Sequence, residues 1–395
     1  MFKQMWGRIG IVVLLVTGIV LLSACGGDSA DSEETIRVGA VYDLTGATAD
    51  VGTPYADGIR DYVAWRNANG GIEGRQIELF GADYAYQVDQ AEQLYSQYVD
   101  QENVVVFQGW GTGDTEALRG RIAGDEIPLM SASYSAGLQD PGEAPYNFLV
   151  GTTYSDQFII AINYALENSG GAPTIAILHH DSPFGLSPVE DGRTYAESQG
   201  AEVIAIPMPG GATDYTAELT RVQDAGAEYI VIQNVSSPAA TLVKDVDRLG
   251  MDAQVVCLNW CTDELFVSLA GSAAEGVLGT SPFAFPGSGV EGLDEIREYA
   301  ESQDKDLDEL GVHYVQGWTT MGVMSEAISR VIEDGEEVTG PNVRAALEEM
   351  EGYETGGITS PLTFTADDHA GNKALVMYQV QDGEWVAVTD YISAD

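Results

Sequence analysis

The chain has 395 residues, with 62 Asp and Glu against 17 Lys and Arg and a formal charge of −45. That balance excludes nucleic-acid binding, which needs a basic face to displace counterions from phosphate, and it disfavours docking on an anionic membrane surface. At 45% hydrophobic and 9% aromatic residues the chain has the composition of a folded protein, long enough for two domains rather than one.

The first elements are not structural. Lys3 and Arg8 form a positive start, and Ile9 to Leu22 is an apolar run too short to span a bilayer comfortably. Leu22-Ser23-Ala24-Cys25 follows. The segment reads as a secretory signal, and its end resembles the bacterial lipobox. The resemblance implies removal of residues 1–24, lipid on the Cys25 sulfur and a membrane-anchored protein in an extracytoplasmic space, periplasm or cell surface. Loss of Lys3 and Arg8 takes the charge from −45 to −47. Residues 25–34, Gly-, Ser- and acid-rich, form the tether.

From residue 36 short β-branched runs alternate with amphipathic stretches. Ile36–Val41 is a strand, and 54–69 a helix with Tyr55, Ile59, Tyr62, Val63 and Arg66 on one face, ended by Gly70-Gly71. Strand 76–80, helix 89–101, strand 104–107, helix 114–123 and strand 128–131 follow. The series restarts with helix 155–168, strand 174–178, helix 187–199, strand 202–206 and helix 214–225, then strand 229–233, helix 238–249, strand 254–258 and helix 263–270. The pattern predicts an α/β protein of two doubly wound parallel-sheet lobes. The C-terminal part breaks the rhythm, with helices at 311–334 and 341–350 and strands at 361–365, 374–380 and 384–391.

Three stretches carry a family resemblance: Val38-Gly39-Ala40-Val41-Tyr42-Asp43-Leu44-Thr45-Gly46, Asn69-Gly70-Gly71-Ile72-Glu73-Gly74-Arg75 and Ile127-Pro128-Leu129-Met130-Ser131-Ala132-Ser133. With Phe184-Gly185 and Tyr314, they make residues 36 to about 390 similar to the type I periplasmic-binding fold, and within it to the branched-chain amino-acid type of solute-binding protein of ABC transporters. The resemblance implies discontinuous lobes, 35–153 with 281–361 and 154–280 with 362–395, joined by a three-strand hinge. It also implies a small-molecule solute between the lobes, and permease subunits in the membrane as partners.

In open parallel sheets ligands sit beyond the carboxyl ends of strands. Gln108-Gly109-Trp110-Gly111-Thr112-Gly113-Asp114-Thr115 lies past such a strand and opens a helix, where N–H groups favour an anion. Trp110, Thr112, Gly113 and Asp114 are therefore ligand candidates. Ala132, Ser133 and Tyr134 follow the next strand. Phe184, Asn234, Asn259 and Trp260 follow strands of the second lobe, and Tyr42 and Tyr314 complete the set. Amino-acid receptors of the family often place an acid after the strand matching 254–258. Here Asn259-Trp260-Cys261-Thr262 comes first and the acid is Asp263, at a helix N-cap position. A buried ammonium needs a charge partner, so an amino acid, an aromatic acid, an amide and a urea-like solute all remain open.

With Cys25 lipidated, Cys257 and Cys261 remain, and an oxidising compartment permits a disulfide between them. Two thiols without a nearby His do not make a metal site. Asp304-Lys305-Asp306-Leu307-Asp308 begins like a calcium loop but has Glu309 at its sixth position and Val315 at its twelfth, so it reads as an acidic turn. No nucleophile–base set occurs at catalytic spacing, and no cofactor is implied. A signalling receptor of the same fold is the alternative to transport. The acidic surface reads as adaptation to concentrated salt, where the screening length falls to about 3 Å at 1 M.

Overall fold

The computed structural model describes residues 35–394. The expected signal segment, the lipidation site Cys25 and the 25–34 tether lie outside the described residues.

The first sheet and its helices run β1 (Ile36–Tyr42), α1 (Ala49–Ala68), β2 (Ile77–Asp83), α2 (Val88–Glu102), β3 (Val106–Gly109), α3 (Thr112–Asp125), β4 (Leu129–Ser131) and β5 (Asn147–Phe148). The strand order is β2-β1-β3-β4-β5, parallel throughout. β3 and β4 are buried along their whole length, as strands covered by helices on both faces should be. The second sheet begins after α4 (Tyr154–Asn168) with β6 (Thr174–His180), α5 (Pro183–Leu186), α6 (Val189–Ser198), β7 (Glu202–Met208), α7 (Thr216–Asp224) and β8 (Tyr229–Gln233). It continues with α8 (Ser236–Leu249), β9 (Gln254–Cys257), α9 (Glu264–Ala270) and β10 (Leu278–Ser281). The chain then returns to the first sheet as α10 (Leu293–Ser302), α11 (Leu307–Glu333) and α12 (Gly340–Glu348), and ends as β11 (Ala374–Gln381), β12 (Glu384–Ala387) and β13 (Ile392–Ser393). The second sheet has the order β12-β11-β10-β9-β8-β6-β7, with β11 antiparallel to β10 and to β12, and β13 paired to β11.

The molecule therefore has the type I periplasmic-binding fold, two parallel-sheet lobes between which the chain passes three times. At the third passage Leu362 and Phe364, which the sequence places in the second lobe, pack in the core of the first, Phe364 edge-on to Phe148 with centroids 5.7 Å apart. The second sheet resumes only at β11.

α11 is the backbone of the first lobe. It crosses α1 where glycines permit close approach. A Cβ on Gly317 would lie 2.0 Å from the Tyr55 carbonyl oxygen, and one on Gly58 2.1 Å from that of Tyr314. Gly311 breaks the helix with φ 79°, in the left-handed region open to glycine. The regular segment thus restarts at Val312, several residues inside the helix begun at Leu307.

The lobes are closed on one another. Phe184, Val235 and Trp260 of the second lobe belong to the same buried cluster as Trp110, Tyr134 and Tyr55 of the first. At one edge the Asp50 carboxylate accepts from Val51 N–H at 3.1 Å and, across the cleft, from Ser237 N–H at 2.9 Å. It lies between the starts of α1 and α8, and both helix ends favour negative charge.

Candidate functional site

A narrow pocket lies between the two sheets, beyond the carboxyl ends of their strands. The first lobe supplies Thr48, Val51, Tyr86, Trp110, Gly111, Thr112 and Ala132. The second supplies Tyr154, Phe184, Val235 and Trp260. Five of these are aromatic, and none carries a charge.

The rings are held by hydrogen bonds from behind. Asp43, just past β1, accepts from the N–H groups of Gly46 at 2.6 Å and Thr48 at 2.8 Å and from the Thr48 hydroxyl at 2.7 Å. Thr48 Oγ1 in turn accepts from the Trp110 indole N–H at 2.9 Å. The Trp260 indole N–H donates to Tyr154 Oη at 2.8 Å, and that hydroxyl donates to the Ala132 carbonyl at 3.2 Å. Trp260 meets Trp110 edge-on at 5.1 Å, stacks on Tyr134 at 6.0 Å and stacks on His313 at 4.9 Å. Phe184 closes the second-lobe side, edge-on to Tyr154 at 5.4 Å. Such pairs fix ring orientation and add about 0.5–1.5 kcal/mol each beyond burial.

The start of α3 faces this pocket. Gly111 is its N-cap and has no side chain to cap it; the Asp114 carboxyl instead accepts from the Gly111 and Asp114 N–H groups, as the otherwise unpaired N–H groups of a helix start require. Thr112 Oγ1 is hydrogen-bonded to Ser133 Oγ at 2.7 Å, and either hydroxyl can donate. Asp114 lies one layer back, accepting from Tyr84 Oη at 2.7 Å. Burial pushes its carboxyl up to about 7 despite that bond.

A charged cluster sits behind Trp260. Asp263 caps α9 by accepting from Phe266 N–H at 2.6 Å, takes the Ser236 hydroxyl, and meets His313 Nε2 at 2.8 Å. His313 Nδ1 faces Gln316 Oε1 at 2.7 Å. Burial disfavours the imidazolium, but the Asp263 and Gln316 bonds outweigh it and raise the His313 pKa. Glu264 accepts from Val312 N–H at 3.1 Å, and burial pushes its carboxyl up to about 7. These contacts join α9 of the second lobe to the restart of α11 in the first.

Of the residues singled out from sequence, Trp110, Thr112, Ala132, Phe184 and Trp260 line the pocket. Ser133, Tyr134 and Asp114 support it from behind. Gly113 faces the second lobe instead: a Cβ there would meet Pro183 at 3.5 Å. Asn234 is turned away, bonding Val235 N–H at 2.8 Å through its own side chain and lying 3.4 Å from the Met208 sulfur. Asn259 is buried, with its main-chain N–H on Gln157 Oε1 at 3.0 Å and its side-chain amide unpartnered.

Tyr42 and Tyr314 are corrections, since neither lines the pocket. Tyr42 points to the helix face of the sheet, with the Arg60 guanidinium 4.5 Å over its ring. Tyr314 donates to Asp61 Oδ2 at 3.0 Å, on the side of α11 that meets α1. Cys257 and Cys261 are free thiols rather than a disulfide. Cys261 Sγ lies 3.6 Å from the Ile232 and Leu258 carbonyl oxygens, inside the second-lobe core, and burial raises its pKa.

Thr48, Val51, Tyr86, Tyr154 and Val235 were not anticipated. Tyr154 had a signal: Thr153 and Asp156 form a helix-capping pair, Thr153 Oγ1 accepting from Asp156 N–H at 3.1 Å. That pair puts Tyr154 at the first helical position, at the mouth of the cleft.

Comparison with known proteins agrees with this geometry. An amino acid binding protein of Pseudomonas aeruginosa is 25% identical over 278 residues, covering 69% of this chain and 72% of its own. A Leu/Ile/Val-binding protein homologue of Brucella abortus is 25% identical over 270 residues, covering 67% and 71%. A solved branched-chain amino acid ABC transporter protein of Thermus thermophilus, with bound valine, superimposes with a TM-score of 0.87 at 29% identity, covering 91% of this chain and 97% of that one. The family described as periplasmic binding protein matches residues 35–384. The chain belongs to the periplasmic binding protein family.

Proposed function

We propose that this protein is the extracytoplasmic receptor of an ABC importer, held to its membrane by lipid on Cys25. It binds a small polar solute, an amino acid of branched-chain type or a related carboxylate or amide, and delivers it to the permease. The observation that carries this reading is the pocket itself, walled by Trp110 and Thr112 from one lobe and by Phe184 and Trp260 from the other. A ligand touching both walls stabilises closure by its differential affinity for the closed form. The permease then meets a surface that exists only when solute is aboard. In this reading the lobes are 35–153 with 281–361 and 154–280 with 362–395, except that Leu362 and Phe364 pack with the first. The acidic surface is an adaptation to concentrated salt.

The test is a thermal-shift screen of the mature protein in salt against amino acids, aromatic acids and amides. A true solute raises Tm with its concentration, and a screen in which no solute does so refutes the reading. Labelling of cells with a radioactive fatty acid tests the anchor: the wild type is labelled and Cys25→Ser is not.

A further inference from the structure

Toward the end of α1 that is remote from the cleft, the first lobe holds a second hollow. Its volume is about 380 Å³, within the roughly 300–1,000 Å³ of small-molecule sites. Tyr62, Trp65 and Arg66 line it from α1, Trp318 and Thr319 from α11, and Tyr353 from the turn after α12. Val51, the α1 residue in the cleft wall, is roughly 16 Å from Tyr62 along the helix at about 1.5 Å per residue. The two sites are therefore separate.

The walls of the hollow are aromatic and its rim is tied down. Tyr62 meets Trp318 edge-on at 5.4 Å and Trp65 at 5.5 Å, and Trp65 and Trp318 are themselves 5.5 Å apart. Gly292 N–H donates to the Gly356 carbonyl at 2.8 Å, which fastens the start of α10 to the Tyr353 turn.

Its polar groups are not satisfied from within the protein. Among the described residues the Arg66 guanidinium has no ion pair, and its Nε is buried without a hydrogen-bond partner. The Thr319 hydroxyl, on a residue 5% exposed, is also buried without a partner. An unmatched buried polar group costs about 1–3 kcal/mol, a cost that the polar atoms of a ligand would remove. Glu291, Glu295 and Glu354 also line the hollow and have no ion pair among the described residues, whereas Glu326 is taken by Arg330 at 2.8 Å. Burial raises the Glu295 pKa although the Arg66 charge acts to lower it, so the two groups share one partly dry space.

These charges select the ligand. A simple cation would match the glutamates and be opposed by Arg66. A simple anion would match Arg66 and meet three carboxylates. A molecule carrying both charges answers both: a carboxylate suits the guanidinium, and aromatic faces attract an alkylated, weakly hydrated ammonium. We propose that this hollow is a second ligand site, which takes a small zwitterion with its carboxylate on Arg66 and its alkylated ammonium against Trp65, Trp318 and the glutamates. The proposal does not depend on what the cleft binds.

Calorimetry on the mature protein tests it with three probes of similar shape: glycine betaine, choline, which lacks the carboxylate, and 3,3-dimethylbutanoate, which has carbon in place of the quaternary nitrogen. Betaine is expected to bind about tenfold or more tighter than either of the others. Arg66→Gln should bring betaine to the level of choline and leave choline unchanged, and Trp65→Ala should weaken both. Choline binding as tightly as betaine overturns the zwitterion and assigns the hollow to a simple organic cation. Betaine binding that Arg66→Gln leaves intact places the ligand elsewhere, the cleft included, and overturns the site. So does 3,3-dimethylbutanoate matching betaine, or silence from all three at millimolar concentration. None of these outcomes bears on the cleft, which the broader solute screen tests separately.

Discussion

The wall of the cleft and the outside of the same chain follow opposite rules. The exterior carries most of the 62 acidic residues, while the pocket lining carries no charge at all. Between them lies a layer in which charges are present but spoken for: Asp43 orients Thr48 and thereby Trp110, and Asp263 holds the His313 ring on which Trp260 stacks. Charge therefore governs solvation outside and ring orientation in the middle layer, while aromatic faces and hydroxyls line the pocket. The same residue type does different work at each depth because an exposed carboxylate is stabilised by water and salt, whereas a buried one must find its hydrogen bonds inside the protein.

The largest effect that would break this comparison is at Trp260. Trp260→Ala removes a ring touching both lobes; it should weaken solute binding on the order of a hundredfold and cost about 3–5 kcal/mol of stability. Calorimetry and denaturant unfolding measure the two, and unchanged affinity would remove Trp260 from the contact wall.

Salt separates inside from outside next. Transfer from molar to low salt should lower Tm by several degrees as surface carboxylates repel, while affinity for an identified solute, measured well below the melting range, changes far less. A Tm indifferent to salt refutes the adaptation.

The middle layer gives the third effect. Thr48→Val leaves the buried Trp110 N–H without its acceptor and should cost about 1–3 kcal/mol, with a smaller loss of affinity as the ring loosens. If Trp110 fluorescence and affinity both stay as in the wild type, Thr48 does not orient the ring.

The fourth concerns pH. Glu264 is pushed up to about 7 and His313 is raised, both in the closed form. A raised pKa means that the protonated group favours the closed form: the contribution is complete below the free-group values and is lost as pH rises through the closed-form values. Solute affinity should thus fall, on the order of threefold, as pH rises from the ordinary carboxyl range near 4.5 through about 7. Glu264→Gln should flatten the profile. An affinity that rises across this range contradicts the sign.

The smallest effect is expected at Tyr314. Tyr314→Phe removes the bond to Asp61, costs about 1 kcal/mol of stability and leaves affinity unchanged; a loss of affinity would return Tyr314 to the site.

Most of the architecture was legible because its signal is periodic. Alternating β-branched runs and amphipathic helices announce parallel sheets, and strand ends announce where a ligand can lie. The contact wall was legible only in part. At a strand end a shift of one residue turns a side chain to the opposite face. Asn234 and Val235 show this: the polar residue invites a ligand reading, yet it bonds its neighbour's N–H, and the apolar Val235 lines the pocket. Tyr42 fails for the same reason, turned to Arg60 by the pleat of β1. Val51 reads as one more core residue of α1, and Tyr86 reaches the cleft from a turn where its φ is 57°, which no periodicity reveals. The His313–Asp263 contact joins residues fifty positions apart in different lobes, and it becomes visible only when the chain has crossed the hinge.

One bond at the cleft edge bears on time rather than affinity. Asp50 spans the starts of α1 and α8 with a single carboxylate, and this bridge exists only after the lobes meet. It cannot steer the solute's arrival, but it must break before departure. A neutral side chain at position 50 would therefore leave the approach of the lobes alone and shorten the lifetime of the closed form.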